Sequence, residues 1–274
     1  MIVISVMRLA IVGCGSIGRK LAEAADGMTE VKRIYLLDLN GKAAEQLASE
    51  LKKAIAVRSI EDELYHCDLV IEAANQAAAR ELIPKVVGRG VDIMTMSVGA
   101  LVDDDYRNSV YDTARSTGAR ILVPSGAICG TDGLSSAAIG RIDEVKLTTT
   151  KGYDSLAGIP YLKEKNIDIG RIKEPTVIYE GTAREAVKLF PKNMNVAATV
   201  SIMGVGFDET KVKVIYDPAT HSNSHELALR GEFGEMVSKT KNVPSPDNPS
   251  TSYLAAMSAI SALKRIIRND WVGI

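Results

Sequence analysis

The pattern with the most specific chemistry in this sequence is a glycine-rich loop between an apolar strand candidate and a helix candidate. It comprises Gly13, Cys14, Gly15, Ser16, Ile17 and Gly18. In such loops the first glycine permits a tight turn, the second lets a pyrophosphate approach the backbone, and the third allows the helix to pack closely on the sheet. The N-terminus of the helix would then bind the phosphates. The loop predicts a dinucleotide site, although glycines also occur in ordinary structural turns.

Two polar residues at the ends of other strand candidates extend this prediction. Asp38 lies twenty positions beyond Gly18, where an acid can bind the ribose 2'-hydroxyl. Its carboxylate favours NAD over NADP, but Arg19 could offset the repulsion of a 2'-phosphate, so both cofactors stay open. Asn75 ends another strand, where the nicotinamide side of such sites begins. The alternative for Asp38 is a solvated acid at a strand end.

An imidazole among polar neighbours is the candidate for proton transfer. His225 lies in the segment Asn223-Ser224-His225-Glu226, and an unperturbed histidine titrates near neutral pH. The alternative is a partly buried structural histidine. His221 precedes it by four positions, a helical spacing for metal ligands, but no cysteine lies nearby and no third ligand is evident. No metal site is therefore predicted.

Amides and a lysine in the second half of the chain could recognise the carboxylates of a substrate. One loop holds Lys192, Asn193 and Asn195, and Asn223 precedes His225 by two positions. Amides beside a run of small apolar residues are expected to be hydrogen-bonded in a confined site. We predict that these four residues bind the substrate, with a solvated surface cation as the alternative for Lys192.

The first half of the chain alternates between short β-branched runs and longer amphipathic stretches, which is typical of βαβ units. Strands are predicted over 9–12, 33–37, 69–72, 92–96 and 120–123, and helices over 17–25, 42–51, 76–89 and 103–117. We predict an α/β fold with a Rossmann-type, doubly wound parallel sheet in residues 1–127. A C-terminal helix over about 250–270 should pack on this domain.

The pattern changes after Pro124. Strands are predicted over 144–150, 176–180, 197–203 and 210–217, without regular crossover helices between them. They indicate a second, α+β domain with an antiparallel sheet over 128–249, for substrate binding, catalysis and dimerisation. A proline-rich connection over 242–250 leads to the last helix.

Composition excludes several classes of partner. The 274 residues carry 33 Lys and Arg against 34 Asp and Glu, for a net charge of -1. This balance lacks the positive excess that attracts nucleic acids or anionic membranes, so neither partner is predicted. Cys14, Cys67 and Cys129 indicate neither a disulfide framework nor a metal site, and a cytoplasmic protein with free thiols is the simplest interpretation.

Five blocks from Pro124 onward carry a resemblance to a known family. They are Pro124-Ser125-Gly126-Ala127-Ile128, Pro191-Lys192-Asn193-Met194-Asn195-Val196-Ala197-Ala198, Asn223-Ser224-His225-Glu226, Gly231-Glu232-Phe233-Gly234-Glu235 and Asn248-Pro249-Ser250-Thr251-Ser252. In this order they resemble the L-aspartate dehydrogenase family. The likeness runs from Gly13 to the C-terminus and so covers nearly the whole chain.

The resemblance implies a homodimeric enzyme that interconverts L-aspartate and iminosuccinate with NAD or NADP and can feed pyridine nucleotide biosynthesis. It implies that His225 is the catalytic residue and that Ala127 and Asn195 border the nicotinamide. One stretch departs from the family, because Lys151-Gly152-Tyr153 stands where a basic residue followed by prolines is expected. Lys151 is a further candidate for carboxylate recognition, or a surface cation.

Two other readings stay open on the sequence. An enzyme similar to homoserine dehydrogenase or dihydrodipicolinate reductase would also join this nucleotide domain to an α+β domain, and fold alone does not separate them. A non-catalytic sensor that binds NAD(H) would keep the nucleotide site but turn over no dicarboxylate.

Overall fold

The computed structural model describes residues 6–191, 194–246 and 248–269. Two compact units are present. The first comprises the described residues up to Pro124 and those from Ala259 onward, and the second comprises the described residues from Ser125 to Ser258. No helix in these described ranges is long and apolar enough to cross a bilayer.

The first unit is a six-stranded parallel sheet with helices between its strands. Its strands are β1 (Met7–Val12), β2 (Val31–Leu37), β3 (Ala54–Ala56), β4 (Leu69–Glu72), β5 (Asp92–Thr95) and β6 (Ile121–Leu122). Its helices are α1 (Ser16–Asp26), α2 (Gly41–Glu50), α3 (Gln76–Val87) and α4 (Asp104–Thr117), with 3₁₀ turns at Leu64–His66 and Val98–Val102. The order β3-β2-β1-β4-β5-β6 confirms the predicted Rossmann-type sheet.

The strand order reverses between β1 and β4. Leu9 and Ile11 of β1 and Leu69 and Ile71 of β4 have no exposed surface, which is why the central residues of these parallel strands form apolar runs rather than an alternating pattern. In such sheets ligands bind beyond the carboxyl ends of the strands at the point of reversal. The glycine-rich loop begins there, directly after β1.

The second unit is built on a five-stranded sheet. Its strands are β7 (Ile142–Lys151), β8 (Thr176–Thr182), β9 (Thr210–Tyr216), β10 (Asn223–Gly231) and β11 (Gly234–Asn242), and β12 (Pro244–Ser245) with β13 (Asn248–Ser252) forms a separate pair. Its helices are α5 (Thr131–Ala137), α6 (Tyr153–Leu156), α7 (Pro160–Glu164), α8 (Ala183–Leu189) and α9 (Asn195–Met203), with a 3₁₀ turn at Ile169–Arg171 and α10 (Tyr253–Arg268) at the end.

The large sheet of this unit is mixed. Its order is β11-β10-β7-β9-β8, with three antiparallel pairs and one parallel pair, β7 with β9. The predicted α+β architecture is confirmed, and the parallel pair is possible because β8 and several helices lie between β7 and β9 in the chain. Later residues of α10, among them Ala259 and Leu263, pack in the core of the first unit with Leu9 and Leu21.

One predicted strand is wrong. Residues 197–203 lie in α9, not in a strand. The segment Ala197 to Ser201 is buried at every position, so it has no amphipathic period by which a helix could be recognised. Strands β3, β10 and β11 were not predicted, and the predicted proline-rich connection over 242–250 overlaps the β12–β13 pair.

Candidate active site

Two glycines of the loop after β1 are required by the chain itself. Gly13 has a φ of +98°, and a Cβ placed on it would lie 2.7 Å from the backbone of Ala73. A Cβ on Gly18 would overlap the carbonyl oxygen of Gly13. The first glycine therefore permits the turn, and the third permits α1 to lie against the loop.

The middle glycine needs another explanation. Gly15 has a φ of −71°, which any residue adopts, and a Cβ placed on it would meet no atom within 4 Å. Gly15 is the N-cap residue of α1, so no side chain caps this helix. The first turn, which begins with Ser16 and Ile17, contains no acidic residue. An open space beside an uncapped helix N-terminus fits a pyrophosphate.

Asp38 is tied to this loop. Its Oδ2 accepts a hydrogen bond of 2.7 Å from the backbone N–H of Cys14, and its Oδ1 accepts one of 2.8 Å from that of Asn40. The acid is therefore more than a solvated strand end, and its remaining lone pairs can accept from ribose hydroxyls. Burial, followed by the charge of Asp38, raises the pKa of the Cys14 thiol to about 11, which disfavours the thiolate that a nucleophile requires.

A buried carboxylate that sequence reasoning missed joins β4 to β5. Glu72 has no exposed surface. Its Oε1 accepts from the N–H of Ala74 and the hydroxyl of Ser97, each at 2.8 Å, and its Oε2 accepts from the Thr95 hydroxyl at 2.7 Å and the Ser97 N–H at 3.1 Å. Four donors around one carboxylate fix the loops that follow both strands.

Asn75 follows directly on this network. Its Oδ1 accepts a hydrogen bond of 3.0 Å from the N–H of Ala78 and so caps α3. Asn75 thus has a structural role at the carboxyl end of β4. The backbone of the adjacent Ala73 is the surface that Gly13 approaches, which brings Asn75 and the glycine-rich loop to the same edge of the sheet.

In the second unit, one face of the β7–β10 pair changes from apolar to polar along its length. Opposed residues share a face and alternate residues repeat on it. Val145 and Leu147 of β7 oppose Leu229 and Leu227 of β10. Beyond them the same face carries four polar residues, all at most 3% exposed, namely Thr149, Lys151, Asn223 and His225. Burying polar groups costs free energy unless they find partners, so this cluster indicates a site.

His225 has one partner within the described residues. The hydroxyl oxygen of Thr149, which directly opposes it, lies 3.0 Å from Nδ1. Burial, followed by the positive charge of Lys151, lowers the pKa of His225 to about 3. The imidazole is therefore neutral near pH 7. Thr149 orients Nδ1, and Nε2 has no hydrogen-bond partner among the described residues.

Lys151 and Asn223 are in contact beside it. The ammonium of Lys151 donates to Oδ1 of Asn223 at 3.3 Å, and the Ser155 hydroxyl donates to the same oxygen at 3.0 Å. Burial lowers the pKa of Lys151 to about 8. The surface-cation reading of Lys151 is therefore wrong, since only 3% of the residue is exposed.

The turn that carries Ala127 is fixed beside the same cluster. The carbonyl oxygen of Ala127 accepts hydrogen bonds from Nδ2 of Asn242 at 2.9 Å and from the Thr240 hydroxyl at 3.0 Å. Thr240 of β11 opposes His225 of β10, and Asn242 opposes Asn223. The strand register therefore brings Ala127 close to two residues that the sequence analysis had singled out.

Of the remaining residues predicted to bind the substrate, the structure describes only Asn195. Asn195 is the first residue of α9 and is half-buried. Val200 of this helix packs on the apolar part of the β7–β10 face. Lys192 and Asn193 lie outside the described residues.

His221 and His225 do not lie on a helix, although their spacing of four positions would suit one. His225 lies in β10, and His221 is exposed in the segment before it. Across the described ranges there is no group of three or more His, Cys, Asp or Glu side chains that could hold a metal ion.

Sequence reasoning missed Thr149, Thr240 and Asn242 as well as Glu72. Thr149 stands two residues before Lys151, and alternation of polar residues along a strand could have placed both on one face. Thr240 and Asn242 could not be found in this way because β11 itself was not predicted.

Two family models match the chain. Residues 13–124 match the NAD-binding domain of homoserine dehydrogenase, and residues 132–266 match the C-terminal domain of aspartate dehydrogenase. The first match covers the glycine-rich loop and Asp38. The second covers the buried polar face of β7 and β10.

Relatives of similar length are known. An L-aspartate dehydrogenase of Methanosarcina acetivorans is 43% identical over 269 residues, which cover 97% of this chain and 99% of its own length. One from Methanococcoides burtonii is 45% identical, with 95% and 97% covered. The crystal structure of aspartate dehydrogenase from Thermotoga maritima is 27% identical, with a TM-score of 0.72 and 98% of each chain covered.

Proposed function

Because the chain belongs to the L-aspartate dehydrogenase family, we propose that it oxidises L-aspartate to iminosuccinate with a pyridine nucleotide, and that it catalyses the reverse reaction. The resemblance found in the sequence is confirmed, and the chain is an oxidoreductase of the type that acts on CH–NH2 donors. The observation that carries the proposal is the buried polar face around His225, which lies in the segment that matches the aspartate dehydrogenase C-terminal domain.

The first unit would hold the nucleotide. Gly13, Gly15 and Gly18, with Ser16 and Ile17 at the start of α1, would bind the pyrophosphate, because the space beside Gly15 is open and the helix is uncapped. Asp38 would accept from the adenosine ribose, and Asn75 would lie on the nicotinamide side. Ala127 and Asn195 remain proposed nicotinamide neighbours. The bound nicotinamide supplies a hydride acceptor.

His225 would manage the proton on the substrate nitrogen. A neutral imidazole can accept a proton at Nε2 if its hydrogen lies on Nδ1, where it can be donated to the Thr149 hydroxyl. With that tautomer, His225 takes a proton from the substrate ammonium and leaves the amine whose lone pair drives loss of hydride from the α-carbon. In the reverse direction the imidazolium returns the proton to the nitrogen.

Asn223 is proposed as a substrate-binding residue, since it lies two positions from His225 on the same face of β10. Lys192, Asn193 and Asn195 remain proposed carboxylate ligands on the strength of the family resemblance. Asn195 begins the helix that covers the apolar part of this face, which supports its inclusion.

NAD is the proposed physiological cofactor, with NADP as a weaker substitute. The carboxylate of Asp38 is held by two backbone N–H groups and so cannot readily swing away from a 2'-phosphate, which it would repel. A cytoplasmic location, supported by cysteines that are all free, a homodimer and a role in pyridine nucleotide biosynthesis through the imine stay predictions.

A coupled assay of the purified protein tests the proposal. L-aspartate, D-aspartate, L-glutamate and L-homoserine are each supplied with NAD and with NADP, and the reverse reaction uses oxaloacetate with ammonia. Turnover confined to L-aspartate, and faster with NAD, is expected. Preference for homoserine would favour the homoserine-dehydrogenase-like alternative, and tight NADH binding without turnover of any dicarboxylate would favour a sensor.

A further inference from the structure

A buried cation in the second unit has no counter-charge among the described residues. Lys151 is 3% exposed, and the only hydrogen bond its ammonium makes to described residues is the one of 3.3 Å to Oδ1 of Asn223. An ammonium has three N–H donors. Among the described residues no carboxylate pairs with it, so two donors and a full positive charge are left without protein partners.

Such an arrangement is unfavourable for the protein alone. Taking an ammonium out of water is costly in free energy, and an amide oxygen offsets little of this cost because it carries no net charge. Burial indeed lowers the pKa of Lys151 to about 8. An anionic ligand would supply the missing charge and the missing acceptors.

A second lysine of the same strand, Lys146, provides a comparison. Lys146 points to the opposite face of β7, its side chain is 38% exposed, and Glu180 lies 3.9 Å from its ammonium. Lys151 is only 3% exposed, and no acid among the described residues pairs with it. The contrast makes the burial of Lys151 specific to the polar end of the face.

The position of Lys151 relative to His225 selects which anion it would meet. His225 opposes Thr149, and Lys151 lies two residues further along β7, a rise of roughly 6.6 Å. If His225 contacts the substrate nitrogen, the carboxylate on the same carbon lies next to that nitrogen. The carboxylate at the other end of a four-carbon diacid is several ångströms farther away, a separation that matches the rise from Thr149 to Lys151.

Resting on the proposed function, we propose that Lys151 binds the side-chain carboxylate of the substrate and sets the selectivity for a diacid over amino acids whose side chain is uncharged. Asn223 orients the ammonium through its Oδ1, and the Ser155 hydroxyl holds that amide in place. Lys151 is therefore a specificity-determining residue, distinct from the proton-transfer group His225.

Kinetics with a matched pair of ligands test this assignment. Lys151→Met keeps most of the side-chain volume without the charge, Lys151→Gln is the second variant should the first fail to fold, and Lys146→Met is the control on the opposite face. KM and kcat are measured for L-aspartate, L-asparagine is tested as a substrate or inhibitor, and succinate binding is measured by calorimetry.

We expect kcat/KM for L-aspartate to fall at least about 30-fold in Lys151→Met, equivalent to about 2 kcal/mol, mainly through KM. The kcat/KM or inhibition constant of L-asparagine should barely change, and succinate binding should be lost. Equal losses for aspartate and asparagine would overturn the proposal, since they would place Lys151 on the shared α-carboxylate. Unchanged aspartate kinetics would also overturn it.

Failure of the proposed function gives a different result. A wild-type protein that turns over no L-aspartate with either nucleotide would remove the dehydrogenase proposal. If that protein nevertheless bound succinate and Lys151→Met did not, the carboxylate site would stand. If neither protein bound succinate, the carboxylate site would fall as well.

Discussion

The hydroxyl oxygen of Thr149 and Nδ1 of His225 lie 3.0 Å apart at directly opposed positions of two neighbouring strands. Both residues are almost fully buried, at 1% and 3% exposure. Strands hold side chains more rigidly than loops do, so the imidazole has a fixed orientation before any ligand binds. This relationship is the basis for assigning proton transfer to His225.

The first prediction concerns the different roles of Gly15, proposed to bind the pyrophosphate, and Gly18, required for packing. Gly15→Ala should leave thermal stability without nucleotide unchanged, because the new Cβ meets no protein atom. NADH affinity should fall by about tenfold or more, or about 1.4 kcal/mol, as measured by fluorescence titration. Gly18→Ala is the contrast, since its Cβ overlaps the Gly13 carbonyl, and it should lower stability. Unaltered NADH binding in Gly15→Ala would contradict the pyrophosphate site.

The second prediction concerns the choice of nucleotide. Asp38→Asn keeps an oxygen that can accept from the N–H of Cys14 or Asn40 but removes the negative charge. The ratio of kcat/KM for NADP to that for NAD should rise several-fold, since about 1 kcal/mol of repulsion corresponds to roughly fivefold. The measurement is steady-state kinetics with both nucleotides at saturating L-aspartate. A constant ratio would show that Asp38 does not face the ribose 2' position.

The third prediction concerns the buried carboxylate between β4 and β5. Glu72→Gln has nearly the same shape, but its NH2 group would face two of the four donors that now surround the carboxylate. An unmet buried donor costs about 1–3 kcal/mol, so the free energy of unfolding measured in urea should fall by at least this amount, with weaker NADH binding. Thr95→Val removes one donor only and should cost less. Equal stability of Glu72→Gln and wild type would contradict a structural role for the four hydrogen bonds to this carboxylate.

The part of the candidate site in the first unit was predictable because its signals are local. Gly13, Gly15 and Gly18 adjoin a strand and a helix, and the position of Asp38 is set by one βαβ unit, so spacing along the chain determines spacing in the fold. Glu72 was missed because its partners Thr95 and Ser97 belong to the next strand and its loop, and no spacing rule links them.

The substrate half was only partly predictable. His225 was found from its neighbours, but Thr149 is 76 positions away, and a contact across strands requires the register, which the sequence does not provide. The segment over 197–203 was assigned to a strand because an apolar run of that length fits a buried strand and a buried helix equally well. Family resemblance identified Ala127, and the structure adds that Thr240 and Asn242 hold it.

The fourth prediction links the two titratable groups of the polar face. Burial is the larger cause of the lowered pKa of His225, and the charge of Lys151 is the second. Lys151→Met removes only the second, so the pKa of His225 should rise from about 3 but stay below the ordinary value near 6.5. NMR titration of the imidazole resonances checks this, and the chain has only three histidines to assign. Lys146→Met should leave the titration as in wild type, and an unshifted resonance in Lys151→Met would contradict the coupling.

The central claim is that His225 transfers the proton in the reaction of L-aspartate, and the most direct test is the kcat of His225→Ala beside its NADH dissociation constant. The account predicts that kcat falls by about 10²–10⁴-fold, that NADH affinity is unchanged, and that the exposed neighbour variant His221→Ala behaves as wild type. Turnover of L-aspartate by His225→Ala at the wild-type rate would contradict it.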